Sequence, residues 1–201
     1  MNAASPLPLV QVRDLHVRFG AKEVVRGVNF DIAPGEKLAL VGESGSGKTV
    51  TALSLLGLAG DAAVQGSALF QGRDLLRLTE RELRGVRGGD IAMVFQEPMT
   101  ALNPLMTVGR QISEVLELKQ ALTQAQSWQA AIELIASTGI PEPARRAAAF
   151  PHQLSGGQRQ RAMIAMALAS RPALLLADEP TTALDVTLRG QILGLLADLQ
   201  R

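Results

Sequence analysis

Apolar and polar positions alternate with a period of two near the N-terminus. The alternation covers residues 10–19 and returns over residues 28–32. A period of two is typical of a strand that buries one face. Since a Pro-Gly-Glu turn signal follows at 34–36, we predict an antiparallel β piece in this part of the chain. Its apolar positions are Val10, Val12, Leu15, Val17, Phe19, Val28, Phe30 and Ile32.

Continuous apolar runs predict buried strands further along the chain. The runs are KLALV at 37–41, IAMVF at 91–95 and ALLLA at 173–177. Runs of this length without alternation are typical of strands that are covered on both faces. Because a glycine-rich loop and a helical stretch at about 48–58 follow the first run, the pattern indicates an α/β core.

The pattern changes between residues 107 and 170. Apolar residues there recur at helical spacing, as in Ile112, Val115 and Leu116, and no alternation of the strand type interrupts them. We therefore predict a helical insert within the α/β core. A last helix is predicted from about Thr187 to Arg201.

Composition narrows the classes of function. The 201 residues carry a net charge of +1, which gives no electrostatic reason to expect nucleic acid or an anionic membrane as a partner. The lack of cysteine excludes disulfides and thiolate metal sites, and two histidines do not make a zinc site alone. Arg171 and Pro172 divide the longest apolar stretch, at 162–177, into pieces too short to span a bilayer. No signal-peptide pattern is recognisable, so export is not expected.

The glycine-rich loop at 42–49, GESGSGKT, fits the pattern G-x-x-x-x-G-K-[ST]. The backbone N–H groups of such a loop and the N-terminus of the following helix favour phosphate. Lys48 is expected to reach the β- and γ-phosphates of a nucleotide, and Thr49 to bind Mg²⁺. A plain glycine turn before a helix is the alternative. The residues predicted to bind nucleotide are Gly42, Glu43, Ser44, Gly45, Ser46, Gly47, Lys48, Thr49 and Val50.

Two acids follow the strand predicted at 173–177. Asp178 is placed to support Mg²⁺ through water, and Glu179 to act as the general base for the water that attacks the γ-phosphate. Capping of the next helix is the alternative for this pair. Gln96 ends the strand predicted at 91–95, where it can orient water or coordinate Mg²⁺, or be an ordinary loop residue.

The stretch LSGGQRQR at 154–161 predicts the start of a helix. Ser155 and Gln158 have the spacing of a capping box. Gly156 and Gly157 then occupy the first turn, although glycine in a helix costs about 1 kcal/mol relative to alanine. Either the helix start is poorly made, or another group comes very close to this backbone.

Together these motifs resemble the ATP-binding cassette (ABC) family of ATPases. GESGSGKT, Gln96, LSGGQ, LLLADEP and TALD stand in the family's order. LSGGQ is the family's signature sequence, and residues 154–158 are called the signature segment below. The resemblance implies an α/β P-loop NTPase fold with an N-terminal antiparallel β piece. It also implies a RecA-like ATP-binding core at 1–98 and 171–201 and an α-helical subdomain at 99–170.

The resemblance also implies roles for single residues. Phe19 matches an aromatic ring that stacks on adenine, with burial in the core as the alternative. Gln96 matches a loop that links the Mg²⁺ site to the helical subdomain, and Asp185 matches a loop that crosses between paired subunits. The signature segment matches a contact with the γ-phosphate of a nucleotide held by the other subunit. The residues implied are Ser155, Gly156, Gly157 and Gln158 for that contact, Lys48, Gln96 and Glu179 for catalysis, and Thr49, Gln96 and Asp178 for the metal.

Longer stretches, such as FQEPMTALNPLMTVGRQI, are similar to the ATPase subunits of bacterial peptide and nickel importers. Among these, the stretch LRGVRGGDIAMVFQEPM is especially similar to first cassettes of the tandem peptide and microcin C type. This implies ATP and Mg²⁺ as cofactors, and a second ABC cassette, transmembrane permease subunits and, indirectly, a solute-binding protein as partners. It also implies a peripheral location at the cytoplasmic face of the bacterial inner membrane. The alternatives are a soluble ABC ATPase that acts on DNA or ribosomes, and a nucleotide-binding module without turnover.

One feature of the family is absent from this sequence. The family carries a histidine a few tens of residues beyond TALD, near the γ-phosphate, and neither His16 nor His152 is placed to replace it. We therefore expect a chain that is shortened at its C-terminus, in which nucleotide binding survives more readily than turnover.

Overall fold

The computed structural model describes residues 7–97 and 101–180, together with Gly190 and Gly194. The chain divides into two compact units, residues 1–84 and residues 85–201, and each unit contains its own sheet. Asp185 and most of the helix predicted after it lie outside the described residues. The predicted boundaries of the ATP-binding core and the helical subdomain stay a prediction.

The first unit is built on a four-stranded sheet. Its strands are β1 (Val10–Phe19), β2 (Lys22–Ile32), β3 (Ala63–Phe70) and β4 (Arg73–Asp74). They lie in the order β2-β1-β3-β4, and every neighbouring pair is antiparallel. The antiparallel β piece predicted from the alternating pattern is therefore confirmed. The helical elements of this part of the chain are α1 (Lys48–Leu55), a 3₁₀ turn (Leu75–Arg77) and α2 (Glu80–Val86), whose last two residues belong to the second unit.

A β-bulge in β1 keeps one face of this strand buried along its length. Val12 is buried before the bulge, and Leu15 is buried after it. Between them Asp14 has a φ of 49°, and the pairing of β1 shifts against both neighbouring strands. One extra residue is accommodated in this way, which explains the three-residue step in the alternating pattern.

Residues 37–41 do not form the buried strand that their apolar run predicts. The segment has no regular secondary structure, and Val41 is 92% exposed. A strand needs a neighbour that pairs with its backbone N–H and C=O groups, and neither sheet of the described residues includes this segment. The strand prediction was wrong because hydrophobicity alone supplies no hydrogen-bonded neighbour.

The second unit contains a parallel pair of strands. Strands β5 (Ile91–Val94) and β6 (Leu174–Ala177) pair with Val94 opposite Ala177, which confirms the strands predicted at 91–95 and 173–177. Parallel strands end at the same edge of their sheet, which is where ligands gather in α/β proteins. The residues that follow β5 and β6 are therefore neighbours.

The part of the second unit between the two strands is helical. Residues 101–170, all of which the structure describes, contain helices and turns but no strand, so the predicted helical insert is confirmed. Ile112, Leu116 and Ile135 are buried in its apolar core. The helices are α3 (Val108–Gln120), α4 (Gln124–Ser137), α5 (Pro143–Ala147) and α6 (Gly156–Leu168), with a 3₁₀ turn at Pro151–Gln153. Among the helices of the described residues, none has the length and apolar character needed to cross a membrane.

Candidate functional site

The glycine-rich loop at 42–49 adopts a backbone conformation that requires glycine. Gly45 has a φ of 79° and Gly47 a φ of 94°, a region that residues with a Cβ atom rarely adopt. Gly47 also lies against β2, since a Cβ atom on it would be only 3.0 Å from the carbonyl oxygen of Val24. The glycine at position 47 is therefore explained both by its φ and by this close approach.

Lys48 folds back onto the glycine-rich loop. Its Nζ atom donates hydrogen bonds to the carbonyl oxygens of Gly42 and Glu43, at 2.9 Å each. Helix α1 begins at Lys48. In the described residues, the N-terminus of this helix has no side-chain cap and no acidic residue in its first turn, so its positive charge is not offset there. The loop thus combines an ammonium group with the positive end of a helix, and this combination favours a phosphate group.

The other residues predicted to bind nucleotide follow the course of the loop. Ser44 and Ser46 are exposed, while Thr49 and Val50 are half-buried in the first turn of α1. The Ser46 N–H closes a turn onto the carbonyl oxygen of Glu43 at 3.2 Å. All of these residues belong to the first unit.

Phe19, at the end of β1, is not a core residue. It is 40% exposed, whereas Val17, two residues earlier on the same strand, is completely buried. Val17 pairs with Val25 of β2, and the side chain of Val25 lies 3.2 Å from the Cβ position of Gly47. The strand pair that carries Phe19 therefore also supports the glycine-rich loop. A contact between Phe19 and adenine stays a prediction.

A polar cluster lies where β5 and β6 end. The Asp178 N–H donates to the carbonyl oxygen of Val94 at 2.9 Å, and Asp178 is buried. Glu179 has a φ of 42°, and its Oε2 atom accepts a hydrogen bond from Nε2 of Gln96 at 3.3 Å. The second unit thus brings together Gln96, Asp178 and Glu179, which the sequence had singled out separately. These three residues are called the strand-end cluster.

The helix start at the signature segment is well made. The Gln158 N–H donates to Oγ of Ser155 at 3.3 Å, and the Ser155 N–H donates to Oε1 of Gln158 at 3.1 Å. The predicted capping box is confirmed, and a poorly made helix start is excluded.

Gly156, in the first turn of α6, has no neighbour in the described residues that requires a glycine. It has a helical conformation, which alanine would favour more. Apart from its chain neighbours and the adjacent backbone of α6, no atom of the described residues lies within 4 Å of a Cβ atom placed on Gly156. The space around this position in the described residues therefore does not explain the glycine.

The two arginines after the signature segment bind backbone groups of the second unit. Nε of Arg159 donates to the carbonyl oxygen of Pro151 at 2.7 Å. Nη1 of Arg161 donates to the carbonyl oxygen of Gly139, also at 2.7 Å. Both side chains thus fix the start of α6 to the segments that precede it.

Gln160 is a polar residue of α6 that sequence reasoning missed. It is 2% exposed, and its Nε2 atom donates to the carbonyl oxygen of Pro180 at 2.9 Å. Its spacing of three and four residues to the buried Met163 and Ile164 was the available signal, because it places an amide on the apolar side of the helix.

The fold and the glycine-rich loop define an α/β protein of the P-loop class. Within that class the chain belongs to the ABC transporter family, whose model matches residues 25–182. The match confirms the family resemblance that the motifs carry.

Two relatives of the chain are named as transport ATP-binding proteins. It is 59% identical over 207 residues to the peptidoglycan transport ATP-binding protein YejF of Agrobacterium fabrum, an alignment that covers 100% of this chain and 38% of that protein. It is 50% identical to the oligopeptide transport ATP-binding protein OppD of Bacillus subtilis, with 96% of this chain and 56% of that protein covered. The chain thus spans well under two thirds of the length of either relative.

Solved structures share the fold. One is the dimeric structure of a post-hydrolysis state of the ATP-binding cassette MJ0796 bound to ADP and Pi. It has a TM-score of 0.82 and 32% identity, and covers 96% of this chain and 83% of that chain. Another is cbiO1 from Clostridium perfringens, part of the ABC transporter complex cbiONQ, with a TM-score of 0.79, 26% identity, and 96% and 74% of the two chains covered. These similarities confirm the predicted fold class.

Proposed function

We propose that this chain is the ATP-binding and ATP-hydrolysing part of a subunit that powers an ABC importer for peptides or related small solutes. The observation that carries the proposal is the ammonium group of Lys48 at the start of α1, held on the carbonyl oxygens of Gly42 and Glu43. Peptide import is supported by the relatives, since YejF, OppD and DppD are named as peptidoglycan, oligopeptide and dipeptide transport ATP-binding proteins.

In this proposal, the glycine-rich loop binds the phosphates of ATP. Backbone N–H groups of residues 42–49 surround the phosphate oxygens, and Lys48 neutralises charge on the β- and γ-phosphates. The half-exposed ring of Phe19 stacks on adenine. Strand β1 carries the Phe19 ring and pairs with β2, and β2 contacts Gly47. This arrangement supports a common role of Phe19 and the loop.

The residues that we propose to hold Mg²⁺ carry side-chain oxygen atoms. Thr49 offers a hydroxyl, Asp178 a carboxylate, and Gln96 a side-chain oxygen in addition to the Nε2 that donates to Glu179. Oxygen atoms of these kinds are the ligands that Mg²⁺ takes in proteins. When bound, Mg²⁺ supplies positive charge that stabilises the phosphate oxygens during transfer. Asp178 is proposed to act through a water molecule.

Glu179 is the proposed general base for hydrolysis. Its carboxylate accepts a proton from water as the water oxygen forms a bond to the γ-phosphorus, and the bond to the bridging oxygen of ADP breaks. Gln96 holds the carboxylate of Glu179 through the 3.3 Å hydrogen bond and orients the water. The close approach of these two side chains supports the assignment.

A second ABC cassette is the proposed partner, arranged head to tail. Ser155, Gly156, Gly157 and Gln158 of one chain would meet the γ-phosphate of ATP held by the partner. The open space at Gly156 supports this role, because no described atom of its own chain requires a glycine there. Asp185, outside the described residues, is proposed to lie in the loop that crosses between the two cassettes.

Permease subunits are the second proposed partner. They would hold the chain at the cytoplasmic face of the inner membrane. A solute-binding protein is an indirect partner. The helical subdomain at 99–170 would receive a short helix of a permease beside the loop at 101–107. Gln111 supports the shape of this loop, since its Nε2 donates to the carbonyl oxygens of Asn103 and Met106 at 3.0 Å each. Leu105 is exposed at the loop and is available for a contact.

The test is peptide uptake by the full-length protein with its permeases in lipid vesicles. We expect ATP-dependent uptake of a labelled peptide and release of phosphate, and loss of both in Lys48→Ala. Lys119→Ala is the matched control, because Lys119 also donates to a backbone carbonyl oxygen, that of Arg87 at 3.2 Å, but lies in the second unit. Uptake that persists in Lys48→Ala, or a wild type that binds no ATP, would overturn the proposal.

A further inference from the structure

Gln160 is a buried amide that the proposed mechanism leaves without a role. It lies within α6 on the same side as Met163 and Ile164, and all three are buried. Burial of an amide is unfavourable unless the amide is hydrogen-bonded. Gln160 meets this requirement through the bond from its Nε2 to the carbonyl oxygen of Pro180 at 2.9 Å. The bond connects α6 to the residue that follows Glu179.

The backbone at Glu179 needs such support. Its φ of 42° lies in the left-handed region, which is unfavourable for a residue with a Cβ atom and persists where the surrounding structure fixes the chain. On one side of Glu179, the Asp178 N–H is bonded to the carbonyl oxygen of Val94 at 2.9 Å. On the other side, Pro180 is bonded to Gln160. Glu179 is therefore bracketed by two hydrogen bonds, one from β5 and one from α6.

The position of the Glu179 carboxylate depends on this backbone. Its hydrogen bond with Gln96 is long, at 3.3 Å, so a small rotation of the backbone is enough to break it. A catalytic group that is misplaced by about 1 Å can slow a reaction about 100-fold. Loss of the bond to Pro180 would thus reach the reacting atoms through Glu179.

Helix α6 connects Gln160 to the signature segment. The capping residue Ser155 stands at the start of this helix, and Gln160 follows it by about 7.5 Å along the axis at the usual rise per residue. Over this short length a helix moves as one piece. A shift of the signature segment would therefore be passed to the carbonyl group of Pro180.

We propose that Gln160 is a positioning residue for Glu179. Its bond to Pro180 holds Glu179 in the left-handed conformation and, through α6, links the signature segment to the base of the same chain. The role of Glu179 as a base rests on the proposed function, but the placement of its backbone by Gln160 does not.

The kinetic test compares the wild type with Gln160→Met in the full-length protein. Methionine has a similar length and no donor, so the helix core stays filled while the bond to Pro180 is lost. We expect kcat for ATP hydrolysis to fall about 10- to 100-fold, while KM and the affinity for ATP stay within about twofold because the glycine-rich loop is unchanged. A merely structural role would reduce the amount of folded protein without lowering kcat per folded molecule.

Gln120→Met is the matched control. The Gln120 side chain of α3 donates to the carbonyl oxygen of Ala169, which is the same kind of bond at the other end of α6. We expect this variant to keep its kcat within about twofold. Gln160→Asn is a second variant, whose side chain is one carbon shorter but keeps the amide group. We expect its kcat to lie between those of the wild type and Gln160→Met.

Hydrogen exchange without nucleotide tests the placement directly. We expect the backbone N–H of Asp178 to exchange about tenfold faster in Gln160→Met than in the wild type, and at an unchanged rate in Gln120→Met. Unchanged exchange at Asp178 in Gln160→Met overturns the proposal, whatever the value of kcat. Faster exchange in a protein whose wild type does not hydrolyse ATP would support the placement while the proposed function fails.

Discussion

At the scale of a single residue, the proposed function places Gly156 in a site that one chain does not complete. The capping box around it is formed, so the helix start would tolerate a larger residue. In the described residues no atom limits the space for a Cβ atom. A bare backbone at the positive end of a helix is, however, what a closely approaching phosphate requires.

We predict that Gly156→Asp spares ATP binding by the isolated chain and prevents ATP-dependent dimerisation. An acid in the first turn favours folding of the helix, but a carboxylate facing the γ-phosphate brings like charges together, which costs several kcal/mol and weakens the dimer about 100-fold or more. Titration calorimetry measures ATP binding, and sedimentation velocity with ATP measures the dimer.

The control for Gly156→Asp is Gly85→Asp. Gly85 lies in α2 and, like Gly156, has no described atom within 4 Å of its Cβ position. We expect Gly85→Asp to dimerise as the wild type does. Normal ATPase activity of Gly156→Asp in the full-length protein would refute the role of this glycine.

His16 lies between two carboxylates on the sheet of the first unit. Its Nδ1 atom is 2.8 Å from Oε1 of Glu23, and its Nε2 atom is 3.1 Å from Oδ1 of Asp14. The hydrogen bonds with Glu23 and then with Asp14 raise the pKa of His16, and the bond with His16 lowers the pKa of Glu23. The charged form of each residue is therefore favoured in the folded state.

This pair predicts a limited pH range of stabilisation. The contribution of His16 is complete below the ordinary histidine pKa of about 6.5 and is lost as the pH rises through its raised pKa. The contribution of Glu23 is complete above its ordinary pKa of 4.5 and is lost as the pH falls through its lowered pKa. Urea unfolding of the wild type and His16→Gln should differ most between these limits. A difference that stays constant up to pH 9 would argue against this ion pair.

At the scale of the element, Gly66 of β3 allows β1 to keep its bulge. Gly66 has a φ of 103°, and a Cβ atom on it would overlap the carbonyl oxygen of Asp14 and lie 2.7 Å from that of Arg13. The bulge places these two carbonyl groups against β3. A residue with a side chain at 66 would therefore have to displace either the bulge or β3.

We predict that Gly66→Ala lowers the free energy of unfolding by about 3 kcal/mol, because steric overlap adds to an unfavourable φ. Gly72→Ala is the control: its φ is 80°, but no described atom lies within 4 Å of the Cβ position. The control should lose only about 1 kcal/mol. Urea unfolding measures both values, and equal losses would show that the bulge does not need this close approach.

Elements whose partners are close in the sequence could be predicted from the sequence. Ser155 and Gln158 form their capping box within one turn. Thr123 and Gln126 have the same spacing and form the same structure at the start of α4. Strands β1 and β2 are also neighbours in the sequence, and their alternating pattern predicted an antiparallel β piece. The alternating pattern alone did not decide between an exposed and a buried Phe19, because a period of two does not show where a strand leaves the core.

Features that depend on distant residues could not be predicted in the same way. The apolar run at 37–41 predicted a strand, but a strand forms only where another one pairs with it. The bond of Gln96 with Glu179 joins residues 83 positions apart, and that of Gln160 with Pro180 joins residues 20 positions apart. The parallel pairing of β5 and β6 explains the first of these contacts, and the packing of α6 explains the second.

At the scale of the whole molecule, the two units carry different parts of the proposed chemistry. The glycine-rich loop and Phe19 belong to the first unit, while the strand-end cluster and the signature segment belong to the second. Under the proposed function, changes in the glycine-rich loop or at Phe19 should act on ATP affinity. Changes at Glu179 should act on hydrolysis alone.

The central claim is tested most directly by measuring ATP binding and single-turnover hydrolysis on the same samples of the full-length wild type and Glu179→Gln. Glutamine keeps the shape of the side chain but does not accept a proton as a base. We predict an unchanged affinity for ATP and hydrolysis that is about 100- to 10,000-fold slower. Hydrolysis at the wild-type rate, or a folded Glu179→Gln protein that no longer binds ATP, would contradict the account.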